Sequence, residues 1–347
     1  MSQMSEIVAS RSPGVEIGRV LFDLYTVERI MNQGTAFQVV LVRANNDGHE
    51  RVIRLIDRSR ATMDQALADI KWLTEERTND SRHSVFCGAL CDPLYYYLVF
   101  EAEKRTLRDV LKDPGTWLTK RHACEIALQT IKAVTKLHEE GIVHADISAD
   151  NIELIDDTYL DEFVYRSSGV FVGRKVLACT EIRLVFRGQS GFVGDMNSGT
   201  DQYRAPEVVY GLGVWKQSDV FSMGLLLIEM IIGESVFPAV VDGPCYQYEK
   251  TLLFHALVGP FPQALQDEIR RKHPDILSAA SGTRPVIDRV VSPTVRRFVE
   301  TDMDLEDFAR SEEELELLAD MLNLDASQRP EMKELEYYDY FLDLDGY

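Results

Sequence analysis

The sequence predicts an α+β fold of two lobes, a β-rich lobe first and a helical lobe after it. Three observations predict it. β-Favouring runs broken by turns extend to Glu101, helical periodicity dominates beyond it, and the size and apolar content suit two packed lobes. The chain has 347 residues, 45% of them hydrophobic and 27% charged, the balance of an ordinary globular protein.

In the first lobe, Tyr25–Ile30 and Ala36–Arg43 read as strands around a glycine-containing turn. Arg51–Asp57 follows Asn45-Asn-Asp-Gly48, a hairpin-type turn. Met63–Glu76 sets Leu67, Ile70, Trp72 and Leu73 at helical spacing, which gives this lobe one helix. Tyr95–Phe100 is a further strand, ending at Glu101. In the second lobe, Thr119–Glu140 is a long amphipathic helix with Thr119 as its cap and Gly141 as its stop. Val220–Ile232 is apolar nearly throughout and reads as a helix buried on all sides. Ser311–Leu322 opens with Ser-Glu-Glu-Glu, an acidic first turn that suits the helix dipole. Two such lobes leave a cleft between them, the usual place for a ligand.

Composition narrows the function. The longest apolar candidate for a membrane span, Met223–Ile232, stops at Gly233 and contains Glu229. The first residues have neither the basic flank nor the apolar stretch of a secretory signal. The five cysteines form no C-x-x-C pair, since Cys87 and Cys91 are four apart and Cys124, Cys179 and Cys245 are isolated. They read as free thiols of a reducing, intracellular compartment, cytoplasmic or nuclear. A net charge of −20 argues against nucleic acid or an anionic membrane as partner and permits a basic one.

The chemistry is concentrated in one stretch, Gly141-Ile-Val-His-Ala-Asp-Ile-Ser-Ala-Asp-Asn-Ile152. It holds the frame H-x-D-x-x-x-x-N as His144, Asp146 and Asn151, directly after the long helix. In phosphoryl transfer a carboxylate so placed orients the substrate hydroxyl, and an amide five residues on reaches a magnesium ion. Three further segments follow: Tyr203-Arg-Ala-Pro-Glu-Val208, Ser218-Asp-Val-Phe-Ser-Met-Gly224 and Ser327-Gln-Arg-Pro330. In this order and spacing the set resembles the protein kinases over nearly the whole chain. The resemblance implies a two-lobe kinase fold, with a β-rich N-lobe carrying one regulatory helix and a helical C-lobe. It implies an extension at 1–19, the N-lobe at 20–101, a hinge at 102–106, the C-lobe at 107–342 and a tail at 343–347. It also implies a Glu207–Arg329 pair, Asp219 holding the catalytic-loop backbone, and an architectural His144.

Thr200-Asp-Gln-Tyr-Arg-Ala-Pro-Glu-Val-Val-Tyr-Gly-Leu-Gly213 resembles the SR-protein and LAMMER (Cdc2-like) kinases of the CMGC group. Leu257-Val-Gly-Pro-Phe-Pro262 resembles a helix-ending segment of theirs, and the long interval from Asn151 to Phe186 resembles their hairpin insert. Phe100 fits the bulky gatekeeper position before Glu101 of the hinge, while core packing explains it equally well. The LAMMER signature itself is replaced by Thr251-Leu-Leu-Phe-His-Ala256.

Much of what the resemblance would place on the nucleotide is altered. The glycine-rich loop is Asn32-Gln-Gly-Thr-Ala-Phe37, which keeps Gly34 alone. Arg54 stands for the lysine that holds the phosphates, with Asp69 as its partner on the following helix. Val39 lines the expected cleft, and Val52 replaces the small residue over the base. Glu153 takes an apolar floor position, where an unpaired carboxylate would cost about 1–3 kcal/mol. The metal-binding D-F-G motif reads Phe186-Arg-Gly188, or Val185-Phe-Arg187 in the other register, and lacks its carboxylate in both; the nearest acid is Asp195. Ser148 stands for the lysine that steadies the γ-phosphate, and Ala145 for the arginine that receives activation-loop phosphate.

These losses lead to the expectation of a pseudokinase, a scaffold that binds a protein partner and transfers phosphate poorly or not at all, with no cofactor required. The alternative is a residually active Ser/Thr kinase using ATP and Mg2+. It would have Asp146 as base, and Asn151 with Asp150 or Asp195 holding the metal. Asp146 and Asn151 also make sense as loop-stabilising hydrogen-bonders without catalysis. The resemblance to SR-type kinases, with acidic runs at Glu300–Asp307 and Ser311–Glu316, implies a basic, arginine-rich peptide partner. Asp201 stands where CMGC kinases usually carry Arg, and Tyr337–Phe341 is expected to pack as the last helix.

Overall fold

A computed structural model describes residues 14–33, 37–58, 85–102, 105–165, 171–185, 199–274, 276 and 285–342. The expected helix Met63–Glu76, Gly34, Asp69, Phe186–Gly188 and Asp195 lie outside these residues, as does the tail at 343–347. The chain divides into two compact units, Met1–Lys104 with Val185–Ser190 and Arg105–Leu184 with Gly191–Tyr347.

The first unit is a six-stranded antiparallel sheet in the order β1-β2-β3-β4-β6-β5. Its strands are β1 (Val20–Leu21), β2 (Tyr25–Gln33), β3 (Phe37–Ala44), β4 (Glu50–Asp57), β5 (Phe86–Cys91) and β6 (Tyr95–Glu101). The β3–β4 turn closes through Gly48 N–H to Ala44 O (2.9 Å) and His49 N–H to Asp47 Oδ1 (2.9 Å). Because strand side chains alternate between faces, cross-strand register sorts the residues. Val40, Ile53 and Val99 align on one face, and with Val27, Val42, Leu55 and Tyr97 they form the core cluster. On the opposite face Val39 aligns with Arg54 and Leu98, and Leu41 with Val52 and Phe100.

The second unit begins at Arg105–Thr106. The sequence assigns these residues to the hinge, but they form strand β7, which pairs with β8 (Ile152–Leu154); β11 (Ile182–Leu184) completes this three-stranded sheet. The 105 and 106 backbone groups thereby find partners in the second unit. β9 (Tyr159–Tyr165) and β10 (Phe171–Leu177) form a separate antiparallel hairpin in the interval that resembles the LAMMER insert.

Helices follow the caps. α1 (Leu107–Lys112) carries a Thr106/Asp109 capping box, and α2 (Lys120–Glu139) is capped by Thr119, whose side chain accepts from His122 N–H (3.1 Å). After the short α3 (Pro206–Val209), α4 runs from Lys216 to Ile232, a turn earlier than its apolar run suggests. α4 crosses the C-terminal helix Glu312–Met321 at Gly224, where a Cβ would lie 2.9 Å from Leu322 Cδ2. The close approach explains the glycine in an otherwise bulky helix. α5 (Tyr246–Val258) ends at Gly259, within the Gly-Pro-Phe-Pro segment. The Tyr337–Phe341 segment is not one helix: a 3-10 turn (Met332–Tyr337) leads into the four-residue helix Asp339–Leu342. Tyr340 and Phe341 are buried there, while Tyr337 is 78% exposed.

Candidate active site

The loop that follows α2 is held from below by one carboxylate. Asp219, buried in the first turn of α4, accepts from the backbone N–H groups of His144 (Oδ2, 2.8 Å) and Ala145 (Oδ1, 2.8 Å), and its Oδ2 also meets His138 Nε2 (2.8 Å). Ala145 takes φ 62°, a left-handed conformation that costs an alanine about 1 kcal/mol. The two charge-assisted bonds from the His144 and Ala145 amides to Asp219 offset that cost. His144 is buried, and its Nδ1 accepts from Asp146 N–H (3.2 Å).

Asp146 and Asn151 are brought together. Asn151 Nδ2 donates to Asp146 Oδ2 and to Asp146 O, both at 2.8 Å. Asp146 Oδ1 accepts from Thr200 twice, from its N–H (2.7 Å) and its hydroxyl (2.8 Å). Both carboxylate oxygens therefore have protein donors. Gly199, at φ 78°, makes this clasp possible, since a Cβ there would lie 2.5 Å from Ala145 O. Thr200 is a contact the sequence reading did not single out; its place before the Tyr-Arg-Ala-Pro-Glu segment was the available signal.

Ser148, standing for the loop lysine, is fully buried, and its hydroxyl has no hydrogen-bond partner among the described residues. Glu153 differs from expectation. It is buried but not unpaired, because Arg183 on β11 directly opposes it and reaches its Oε2 at 3.2 Å. The anticipated cost of an isolated carboxylate does not arise. Asp150, an expected metal-ligand candidate, pairs through Oδ2 with Arg108 Nε (3.1 Å). Arg108 Nη1 also pairs with Glu229, and Nη2 donates to the Tyr203 hydroxyl (2.5 Å). Burial works against the Arg108 charge, but Tyr203, Glu229 and Asp150 outweigh it and raise its pKa.

Glu207 and Arg329 form a bidentate pair, Oε1 with Nη1 at 2.7 Å and Oε2 with Nη2 at 3.0 Å, with both side chains nearly inaccessible. Asp201 anchors the segment after Thr200. It accepts from Val240 N–H (2.9 Å) and the Tyr246 hydroxyl (2.7 Å), and Lys250 lies 3.4 Å from its Oδ1. Lys250 is fully enclosed, between the Phe237 and Phe254 rings, and donates to Asp201 O (2.6 Å).

In the first unit the register collects Val39, Val52, Arg54 and Phe100 on one sheet face, all buried. Glu101 is exposed, and its N–H donates to Val85 O (2.9 Å).

The protein kinase domain description matches residues 25–341. The chain belongs to the protein kinase family. This kinase-family chain is 25% identical over 331 residues to dual specificity protein kinase lkh1 of Schizosaccharomyces pombe, covering 91% of this chain and 46% of that protein. It is 29% identical over 236 residues to dual specificity protein kinase KNS1 of Saccharomyces cerevisiae, covering 62% of this chain and 32% of that protein. It is 24% identical to dual specificity protein kinase CLK1 of Homo sapiens, over 93% of this chain and 67% of that one. The chain thus spans less than half the length of the two yeast relatives. These relatives support a CMGC, LAMMER-like placement. Among solved structures, the kinase domain of PF14_0431 superposes with a TM-score of 0.72 at 20% identity, covering 95% of this chain and 98% of that one. Rad53 1-466 in complex with AMP-PNP gives 0.56 at 19% identity, covering 92% and 66%. Both share the kinase fold. Among the described residues, no helix is long and apolar enough to cross a membrane.

Proposed function

We propose that this kinase-family chain is a pseudokinase, a scaffold that binds a protein partner and transfers phosphate poorly or not at all. The observation that carries this reading is the buried, uncharged Ser148 at the position of the phosphate-steadying lysine, beside the clasp of Asp146, Asn151 and Thr200. The carboxylate that would orient a hydroxyl, and the amide that would reach a metal, are bonded to each other and to Thr200. Next to them, the position of the phosphate-steadying lysine holds a buried serine. Asn151 donates through Nδ2 and keeps Oδ1 for a metal, so the poor fit to a magnesium nucleotide lies in the lost lysine at Ser148 and the carboxylate missing from Phe186-Arg-Gly188. Losing a transition-state cation or a metal ligand commonly costs ~10²–10³-fold in rate each, and here several such groups are replaced together.

Thermal-shift titration with ATP and Mg2+ tests this reading. Saturating ligand at 100 times its Kd would add about 2.7 kcal/mol of stability. The expected result is no magnesium-dependent shift. A clear shift, together with phosphate incorporation abolished by Asp146→Asn, would instead establish the residually active Ser/Thr kinase.

The partner we infer is a basic, arginine-rich peptide, and the acidic surface supports it: Asp302, Asp304, Glu306, Asp307, Glu312 and Glu313 are exposed. With a net charge of −20, affinity for such a peptide is expected to fall as salt rises from 0.05 to about 0.5 M. Affinity unchanged across that range would remove electrostatics from the account.

A further inference from the structure

The β9–β10 hairpin has one covered edge and one open edge. Along β10, Lys175 N–H donates to Gly115 O (3.1 Å), and Lys175 O accepts from Trp117 N–H (2.7 Å). The register then tells which groups of β9 are left. Ala178 N–H donates to Thr158 O (3.0 Å), and Tyr159 faces Leu177, so inward and outward residues alternate from there. Leu160 and Glu162 bond toward β10, whereas the N–H and C=O groups of Asp161 and Phe163 point away from it. Among the described residues nothing bonds to these outward groups, and β10 is the one strand beside β9.

The side chains on this edge are patterned. Leu160 and Phe163 are 58% and 69% exposed despite being apolar. Between them stand two exposed carboxylates. Asp161 makes no side-chain hydrogen bond or ion pair among the described residues, and Glu162 is paired to Arg174 (2.6 Å). From Ile155 to Phe163 the chain carries four acids and no base. The bases that answer them, Arg174 and Lys175, lie on β10, about 10 Å from any strand added beyond β9, against about 5 Å for Asp161. Charge on an edge normally guards it against stray pairing. Here the guards share one sign. A second copy added antiparallel would set Asp161 against Asp161, or Glu162 against Glu162, and is refused; a basic strand is accepted.

We propose that the open edge of β9 takes an extended basic segment of a partner protein as an added strand. Its main chain bonds the outward N–H and C=O groups of Asp161 and Phe163. Opposite Leu160, Asp161, Glu162 and Phe163 it presents apolar, basic, basic and apolar residues in turn, a pattern that reads the same in either strand direction. The proposal rests on the basic partner inferred above and gives it a place other than the acidic surface at 302–313.

The test titrates the peptide acetyl-Thr-Val-Arg-Arg-Val-Thr-amide into the full chain and follows amide hydrogen exchange. The Asp161 and Phe163 amides are expected to exchange freely in the chain alone and to become protected on saturable binding. The same peptide N-methylated throughout keeps its charge without its donors, and should bind at least ~10-fold more weakly. Asp161→Lys, an exposed change that spares the hairpin ladder, should weaken the peptide by ~10-fold or more and admit a version with glutamates for arginines. The Asp302→Asn/Asp304→Asn double variant should bind as the natural chain does. Absence of saturable binding, equal affinity for the N-methylated peptide, or binding unmoved by Asp161→Lys would each overturn the proposal. A dimer of the chain that protects the same two amides would do so as well. Binding lost in the Asp302→Asn/Asp304→Asn variant would also overturn it, while leaving the basic-partner reading standing.

Discussion

Replacing Arg329 by methionine is expected to cost about 3–5 kcal/mol of folding stability, the penalty for breaking a buried ion pair from one side. The size follows from what the change leaves behind. Glu207 would stay inaccessible with both oxygens stripped of their guanidinium donors, keeping, among the described residues, the Ser218 hydroxyl on Oε1 (2.7 Å). The guanidinium's bonds to two backbone carbonyls would be lost as well, Asn323 O (2.7 Å from Nε) and Gln217 O (2.8 Å from Nη1). By contrast, loss of the exposed Arg296–Glu300 pair should stay within ~1 kcal/mol. Urea unfolding measures both, and the Glu207→Gln/Arg329→Met double variant should recover part of the loss, because no charge is then stranded. A loss below about 1 kcal/mol for Arg329→Met would show that the pair is dispensable to the fold.

The second large effect is a pH dependence carried by Lys250. Burial pushes its pKa down to about 8, against the pull of Asp201 and with a smaller push from Arg204. In the unfolded chain the lysine stays protonated to about pH 10.5. Between these values unfolding takes up a proton, so this group's contribution to stability rises with pH across the window, and the cost of the buried charge is present in full below it. Relative to Lys250→Met, the natural chain should gain about 2–3 kcal/mol between pH 7 and pH 10. Tyrosines that titrate in the same range are common to both proteins and cancel in the difference. Parallel stability profiles, measured by urea unfolding at each pH, would show that the lysine is not desolvated in the folded state.

The fold was legible where periodicity and caps agree. The strands at Tyr25, Arg51 and Tyr95 and the helix capped by Thr119 needed no tertiary information. β5 escaped because Phe86-Cys-Gly-Ala-Leu-Cys91 lacks β-branched residues and carries a bulge at Gly88. β7 escaped because two residues carry no period, and only pairing with β8 makes them a strand. In the site, the motifs supplied the Glu207–Arg329 pair and the hold of Asp219 on the loop, but other partners could not be read. Arg183 reaches Glu153 across a strand pair, and Lys250 reaches Asp201 from a helix 49 residues on; neither distance has a sequence signal. Thr200 was quoted within a motif, yet its bonds to Asp146 depend on how closely Gly199 passes the loop.

Asp219 bears on how such a chain can drift. The hydroxyl at position 148 has no hydrogen-bond partner among the described residues, so that residue can change singly. Asp219 serves the amides of two consecutive loop residues and an imidazole from another helix, so a replacement without an acceptor strands three donors at once. A lineage can therefore shed its phosphate chemistry one residue at a time while every intermediate still folds, provided that this carboxylate stays. The support that Asp219 gives to His144 and Ala145 thus accounts for a retained His144–Asp146–Asn151 frame whether or not phosphate is transferred.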